Sequence, residues 1–200
     1  MDCKFNSFFK YFSNQINLLR LYNIPLLLPT KSTHKQIAIN FGLLISAYNV
    51  ITGLLLVSLE IHYQNNSIIG LINLAVIIGL IFFGIYQLKK SCKGYLKLSE
   101  ALKAGMGISL ISGLISALYS VILIYFIDPD FIQKTLDFQK EMMLKKNPNL
   151  TIEDANAMLD IQKQLTGPLT TSSFIIIFNL FIGFIVSLIS GLILSKSEIK

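Results

Sequence analysis

Four stretches of this chain, 36–59, 66–88, 105–127 and 169–195, contain no Asp, Glu, Lys, Arg or His. A helix rises about 1.5 Å per residue, so about 20 residues cross the roughly 30 Å of hydrocarbon in a bilayer. All four stretches reach that length. Their apolar pattern is continuous rather than alternating, which suits helices and not the strands of a barrel. The third holds twelve Ile, Leu, Val or Phe residues, a transfer gain of about 6 kcal/mol, where one central Lys or Asp would cost about 3 kcal/mol. Hydrophobic residues make up 53% of the 200 residues and charged ones 14%. A soluble domain carries about 25% charge and has too little interior for so many apolar side chains. The same composition excludes a disordered chain. The expected fold is all-α, an integral membrane bundle of four transmembrane helices spanning residues 36–200, preceded by an N-terminal segment, 1–35.

The connections set an orientation. Segment 1–35 has Lys4, Lys10, Arg20, Lys31 and Lys35 against Asp2, and segment 89–104 has Lys89, Lys90, Lys93, Lys97 and Lys103 against Glu100. The 60–65 turn has no Lys or Arg, and the tail has Lys196 and Lys200. Basic residues stay on the cytoplasmic side, so both termini are expected there and 128–168 on the other side. The net charge of +6 comes in blocks between apolar runs, which fits lipid headgroups and not nucleic acid. Cys3 and Cys92 fall in those basic segments and are expected as reduced thiols.

Phe5, Phe8, Phe9, Phe12, Ile16 and Leu19 recur at helical spacing, predicting an amphipathic helix lying in the membrane surface rather than a signal peptide. Segment 128–168 reads as a helical hairpin. Phe131, Ile132, Leu136, Phe138, Met142 and Met143 form one stripe, Asn147-Pro148-Asn149 breaks it, and Thr151 with Asp154 opens a second helix ending before Gly167-Pro168. Asp128-Pro129-Asp130 stops the third span. Pro129 disfavours helix at Asp128 and leaves it placed to cap the next helix, while a cation site on the two carboxylates has few ligands.

Lipid does not drive helices together, so close contacts need small residues. The fourth span has Gly183, Ser187, Gly191 and Ser195 at strict i+4 spacing, and the third has Gly105, Ser109, Gly113 and Ala117, with Ser112, Ser116 and Ser120 beside them. The first has Ala38, Gly42 and Ser46. Packing within one chain is the first reading, and a homo-oligomer or an unidentified membrane partner the second. Ser-Leu-Ile-Ser-Gly-Leu-Ile occurs at 109–115 and again at 187–193, read as a shared packing solution. Asn40, Asn49, Asn73 and Asn179 lie inside spans, and each amide is expected to bond across helices. A polar lining for a substrate path is the competing reading.

No arrangement for catalysis stands out. His34 and His62 fall on opposite sides of the membrane, leaving no metal triad and no Ser-His-Asp set, and no glycine motif cradles phosphate. The expectation is a protein that is not an enzyme and has no cofactor, with the lipid bilayer as its partner.

From Leu98 onward the chain shows Leu98-Ser-Glu-Ala-Leu-Lys-Ala-Gly105, then Tyr125-Phe-Ile-Asp-Pro-Asp-Phe131, a helical loop, Pro168, and a last span with Gly183 and the Ser187–Leu192 run. These pieces resemble the small bacterial four-span membrane proteins catalogued as domain of unknown function 4199. The resemblance implies the fold and the bacterial inner membrane, and no activity or catalytic residue. Two functions are expected to compete: a non-catalytic scaffold or partner subunit, and a component of a small transporter or channel.

Overall fold

The structure, a computed structural model, describes residues 34–64 and 66–195. The expected amphipathic helix at the N-terminus lies outside those residues. Six helices follow in order: α1 (His34–Ser58), α2 (Ser67–Ser91), α3 (Leu98–Ile122), α4 (Phe131–Lys146), α5 (Ile152–Leu165) and α6 (Pro168–Leu194). A π-helical turn, Leu123–Ile127, prolongs α3. Helices α1, α2, α3 with its π turn, and α6 are 25, 25, 30 and 27 residues long and apolar enough to cross a bilayer. Every element among the described residues is a helix, so the chain is an all-helical membrane protein with four spans.

Local chemistry sets the helix ends. The Asn66 side chain accepts the Ile68 N–H at 3.0 Å and opens α2. Lys89 and Lys90 sit in its last turn, where the carbonyl end of the helix favours cations. α3 starts at Leu98, seven residues before its uncharged stretch, because Glu100 Oε2 accepts the Lys97 N–H at 3.0 Å and starts the helix in the basic segment. The connection expected at 89–104 is therefore shorter. Thr151 Oγ1 accepts the Asp154 N–H at 3.1 Å at the start of α5. Pro168 occupies the first turn of α6, where its missing N–H costs nothing.

α3 is the central helix. α1, α2 and α6 all pack on it, α6 most extensively. The buried core is Ile37, Phe41 and Ile45 from α1, Ile81, Ile85 and Leu88 from α2, Leu96, then Ala101, Ala104 and Ile108 from α3, and Val186 and Leu194 from α6. These residues all lie in the halves of their helices nearest the α2–α3 turn. Toward the other end α2 packs more loosely: no residue of it before Ile81 is fully buried. A Cβ added at Gly70 or Gly79 would meet no atom within 4 Å. Apolar side chains such as Leu71, Leu118, Phe178 and Phe181 stand exposed around the bundle, as a lipid-facing surface requires. Helices α4 and α5 pack on each other, with Leu136, Ala155 and Leu159 buried, at the end that carries the α1–α2 turn.

Candidate functional site

Two arrangements stand out, a seam between α3 and α6 and a charged cluster where α3 ends. The seam is antiparallel, and each step of four residues along one helix meets a step of four back along the other. A Cβ on Gly105 would overlap Ser187 Oγ and Cβ, and a Cβ on Gly183 would overlap Ser109 Oγ and Cβ. One turn on, a Cβ on Gly113 would lie 3.2 Å from Asn179 Cβ; in the other direction one on Gly191 would lie 2.6 Å from Leu98 Cδ1 and 3.1 Å from Ala101 Cβ. The glycine of each helix thus receives the serine of the other. This reciprocity accounts for the repeated segments: Ser109 and Ser187 open the two copies and occupy equivalent places in antiparallel helices. Ser187 Oγ donates to the Gly183 carbonyl and Ser112 Oγ to the Ser109 carbonyl, so these two hydroxyls are paired within their own helices, whereas Ser109 Oγ is buried without a partner among the described residues. Ala117 is buried in the same helix. Ser195 is exposed at the C-terminal end of α6 and does not belong to the seam, because the helix has already run past α3's first turn there.

The parallel pair α1 and α3 is closed in the same way. A Cβ on Gly107 would lie 2.9 Å from Ala38 Cβ, one on Gly42 2.8 Å from Ile111 Cβ, and one on Gly53 2.6 Å from Tyr119 Oη. Ser46 Oγ donates to the Gly42 carbonyl at 2.7 Å.

The four asparagines divide. Asn49 Nδ2 donates to Ser116 Oγ at 3.2 Å, joining α1 to α3, and Asn73 Oδ1 accepts from the Tyr48 hydroxyl at 2.8 Å, joining α2 to α1. The other two depart from the expectation of interhelical bonds. Asn179 Nδ2 donates to the Ile175 carbonyl of its own helix at 2.9 Å, since Gly113 offers its side chain contact but no polar group. Asn40 is half-buried near the α2–α3 end and has no side-chain hydrogen bond among the described residues.

At the other end the Asp128 side chain is not a cap. The Asp128 N–H closes the π turn on the Leu123 carbonyl at 2.8 Å, and the extra residue rotates Asp128 by about 100° relative to a regular continuation. Pro129 then ends the helix. Asp130 takes the cap position of α4, without a side-chain bond. Asp128, 8% exposed, instead receives Lys134 Nζ at 2.9 Å on both oxygens and His62 Nε2 at 2.8 Å on Oδ2. An ionised carboxylate only accepts, so His62 carries its hydrogen on Nε2. Its ring stacks on Phe131, with centroids 5.6 Å apart and planes at 16°, and Tyr63 meets Phe138 edge-on at 6.3 Å. The cluster ties the α1–α2 turn to the end of α3 and the start of α4. Spacing alone did not point to Lys134: six residues across a proline turn is no helical interval.

Burial opposes ionisation of Asp128, but hydrogen bonds from Lys134 and His62 outweigh it and hold the carboxyl below its usual range. The hydrogen bond to Asp128 in turn raises Lys134. A folded-state value below the unfolded one contributes stability present above the unfolded carboxylate value, near pH 4, and lost as pH falls through the lowered folded value. Thermal melts in detergent from about pH 6 to pH 3 are therefore expected to show the wild-type advantage over Asp128→Asn shrinking with acid. A gap that widens with acid would contradict the cluster. On the opposite side, burial and then Glu100 push the Cys92 thiol up, which keeps it an unreactive thiol at neutral pH.

A family model described as "Protein of unknown function (DUF4199)" matches residues 38–196. No curated protein and no solved structure matches the chain.

Proposed function

The chain belongs to the DUF4199 family of unknown function, and we propose that it serves as a non-catalytic membrane scaffold or partner subunit. The observation that carries this reading is the reciprocal Gly–Ser seam, Gly105 with Ser187 and Ser109 with Gly183. It brings α3 and α6 into contact through backbone and small side chains, an interface built for packing. The protein lies in a bacterial inner membrane with both termini cytoplasmic, a placement supported by the lysines gathered at the α2–α3 end. Impermeant maleimide is expected to label Asn147→Cys in intact cells, and Lys93→Cys only after permeabilisation, in a Cys3→Ser, Cys92→Ser background.

One observation favours the second reading, a component of a small transporter or channel. Tyr119 Oη and Ser120 Oγ are buried without a hydrogen-bond partner, beside the Asn49–Ser116 bond on α3. Flux separates the two. Purified protein in vesicles is expected to pass ions and small solutes no faster than protein-free vesicles, while crosslinking in native membranes captures discrete partners. Asn49→Leu is expected to cost only the bond to Ser116, about 0.6–2 kcal/mol in a melt. Protein-dependent flux that Asn49→Leu abolishes, in a variant that still inserts and melts cooperatively, would overturn the scaffold reading.

A further inference from the structure

We propose that the end of the bundle formed by the start of α1, the α2–α3 turn and the start of α3 is a binding surface for the anionic lipid headgroups of the leaflet it faces. Chain alternation brings Lys35, Lys89, Lys90, Lys93, Lys97 and Lys103 to this one end, and all but the half-buried Lys89 are exposed. None of them forms an ion pair among the described residues. The one carboxylate in the 89–104 segment is Glu100, and its Oε2 is occupied by the Lys97 N–H. Glu100 is thus one negative charge against the five lysines of this segment, and it forms an ion pair with none of them among the described residues.

The backbone of the turn between α2 and α3 is also ordered. Leu96, 1% exposed, plugs the turn into the core beside Leu88 and Ala101. Lys93 at φ 54° and Gly94 at φ 87° reverse the chain, and the Gly94 N–H closes on the Lys89 carbonyl at 3.0 Å. An ordered turn loses less entropy on binding than a loose tail of equal charge. Tyr95 and Tyr86 stand exposed near the lysines, at the level where tyrosine rings meet headgroups. The opposite end contrasts with this one: residues 128–168 mix both signs, with five Lys and seven acids, and its buried charge is paired internally. One phosphate-bearing headgroup per exposed lysine supplies what the turn lacks, and the acyl chains continue along the apolar faces of α2 and α3.

The test uses the full chain reconstituted in phosphatidylcholine vesicles with spin-labelled phosphatidylglycerol or spin-labelled phosphatidylcholine, reading the lipid fraction immobilised on the protein. Wild type is expected to prefer phosphatidylglycerol by about fivefold at low salt, the effect of one lysine at a charged surface. The preference falls toward unity in about 1 M salt. The triple variant Lys90→Gln, Lys93→Gln, Lys97→Gln is expected to lose most of it while melting like wild type. Lys140→Gln with Lys145→Gln, at the other end, is expected to keep it. Inorganic phosphate is expected to displace no more lipid than chloride of equal ionic strength. Absence of preference in wild type, its persistence in the triple variant, its loss in the Lys140, Lys145 pair, or specific displacement by phosphate would each overturn the proposal. The salt series on wild type decides the matter even if the triple variant does not fold.

Discussion

Gly105→Ala is expected to destabilise the bundle by about 1–3 kcal/mol, the usual cost of forcing extra atoms into a packed core, and Gly105→Leu to abolish the folded state in detergent. A methyl at this position overlaps not only Ser187 Oγ, which a side-chain rotation moves, but also Ser187 Cβ at 2.8 Å, which only a shift of α6 relieves. Gly183→Ala meets Ser109 in the same way and is expected to cost a similar amount. The contact is reciprocal, so the effect should be repairable from the other helix. Gly105→Ala combined with Ser187→Gly is expected to regain most of the loss, giving a coupling of about 1 kcal/mol or more in a double-mutant cycle. Gly70→Ala and Gly79→Ala serve as comparators. Nothing lies within 4 Å of an added Cβ at either, and alanine suits a helix better than glycine by up to about 1 kcal/mol, so both are expected to be neutral or stabilising. Thermal melts of these variants, with Ser187→Gly alone to complete the cycle, decide the matter. Equal effects at Gly105 and Gly79, or additivity in the cycle, would show that α3 and α6 do not meet along this seam.

Asp128→Ala is the second large effect, at about 1–3 kcal/mol, because it leaves the buried His62 Nε2–H without an acceptor. Lys134 contributes far less: its side chain is 46% exposed, water solvates the ammonium either way, and Lys134→Gln is expected to change the melt little. Hydrogen exchange adds location. Asp128→Ala is expected to lower protection in residues 59–64 and at the start of α4, where the cluster joins the α1–α2 turn to the chain after the π turn, and to leave the α3–α6 seam protected. Uniform loss of protection across all spans would mean that the cluster is a general support rather than a local clasp. Asp128→Asn keeps an acceptor for both partners and is expected to fall between the two.

Much of the site was written in spacing. Gly105, Ser109 and Gly113 against Gly183, Ser187 and Gly191 read directly as a close helix contact, because small residues at i+4 fall on one face and have no other use in lipid. Spacing did not carry which serine meets which glycine, since register depends on where both helices start. α3 starts at Leu98, not at Gly105 where the charge-free stretch begins, and Ser195 falls off the end of the contact for the same reason. The asparagines were visible as polar residues in apolar runs, yet only Asn49 and Asn73 have partners across helices, because partnership depends on what the facing helix presents at that height.

Sequence by itself determined the solvent, the count of spans and the small-residue faces. These follow from local quantities: residues per span, charge per segment, and the 3.6-residue period. Tertiary structure alone decided that Asp128 turns inward to His62 and Lys134, that α2 packs only loosely before Ile81, and that the two repeated segments meet as reciprocal partners. Each of these depends on atoms far apart in the chain: an extra residue in one helical turn, a proline with no N–H to give, and the register in which two antiparallel helices come to rest.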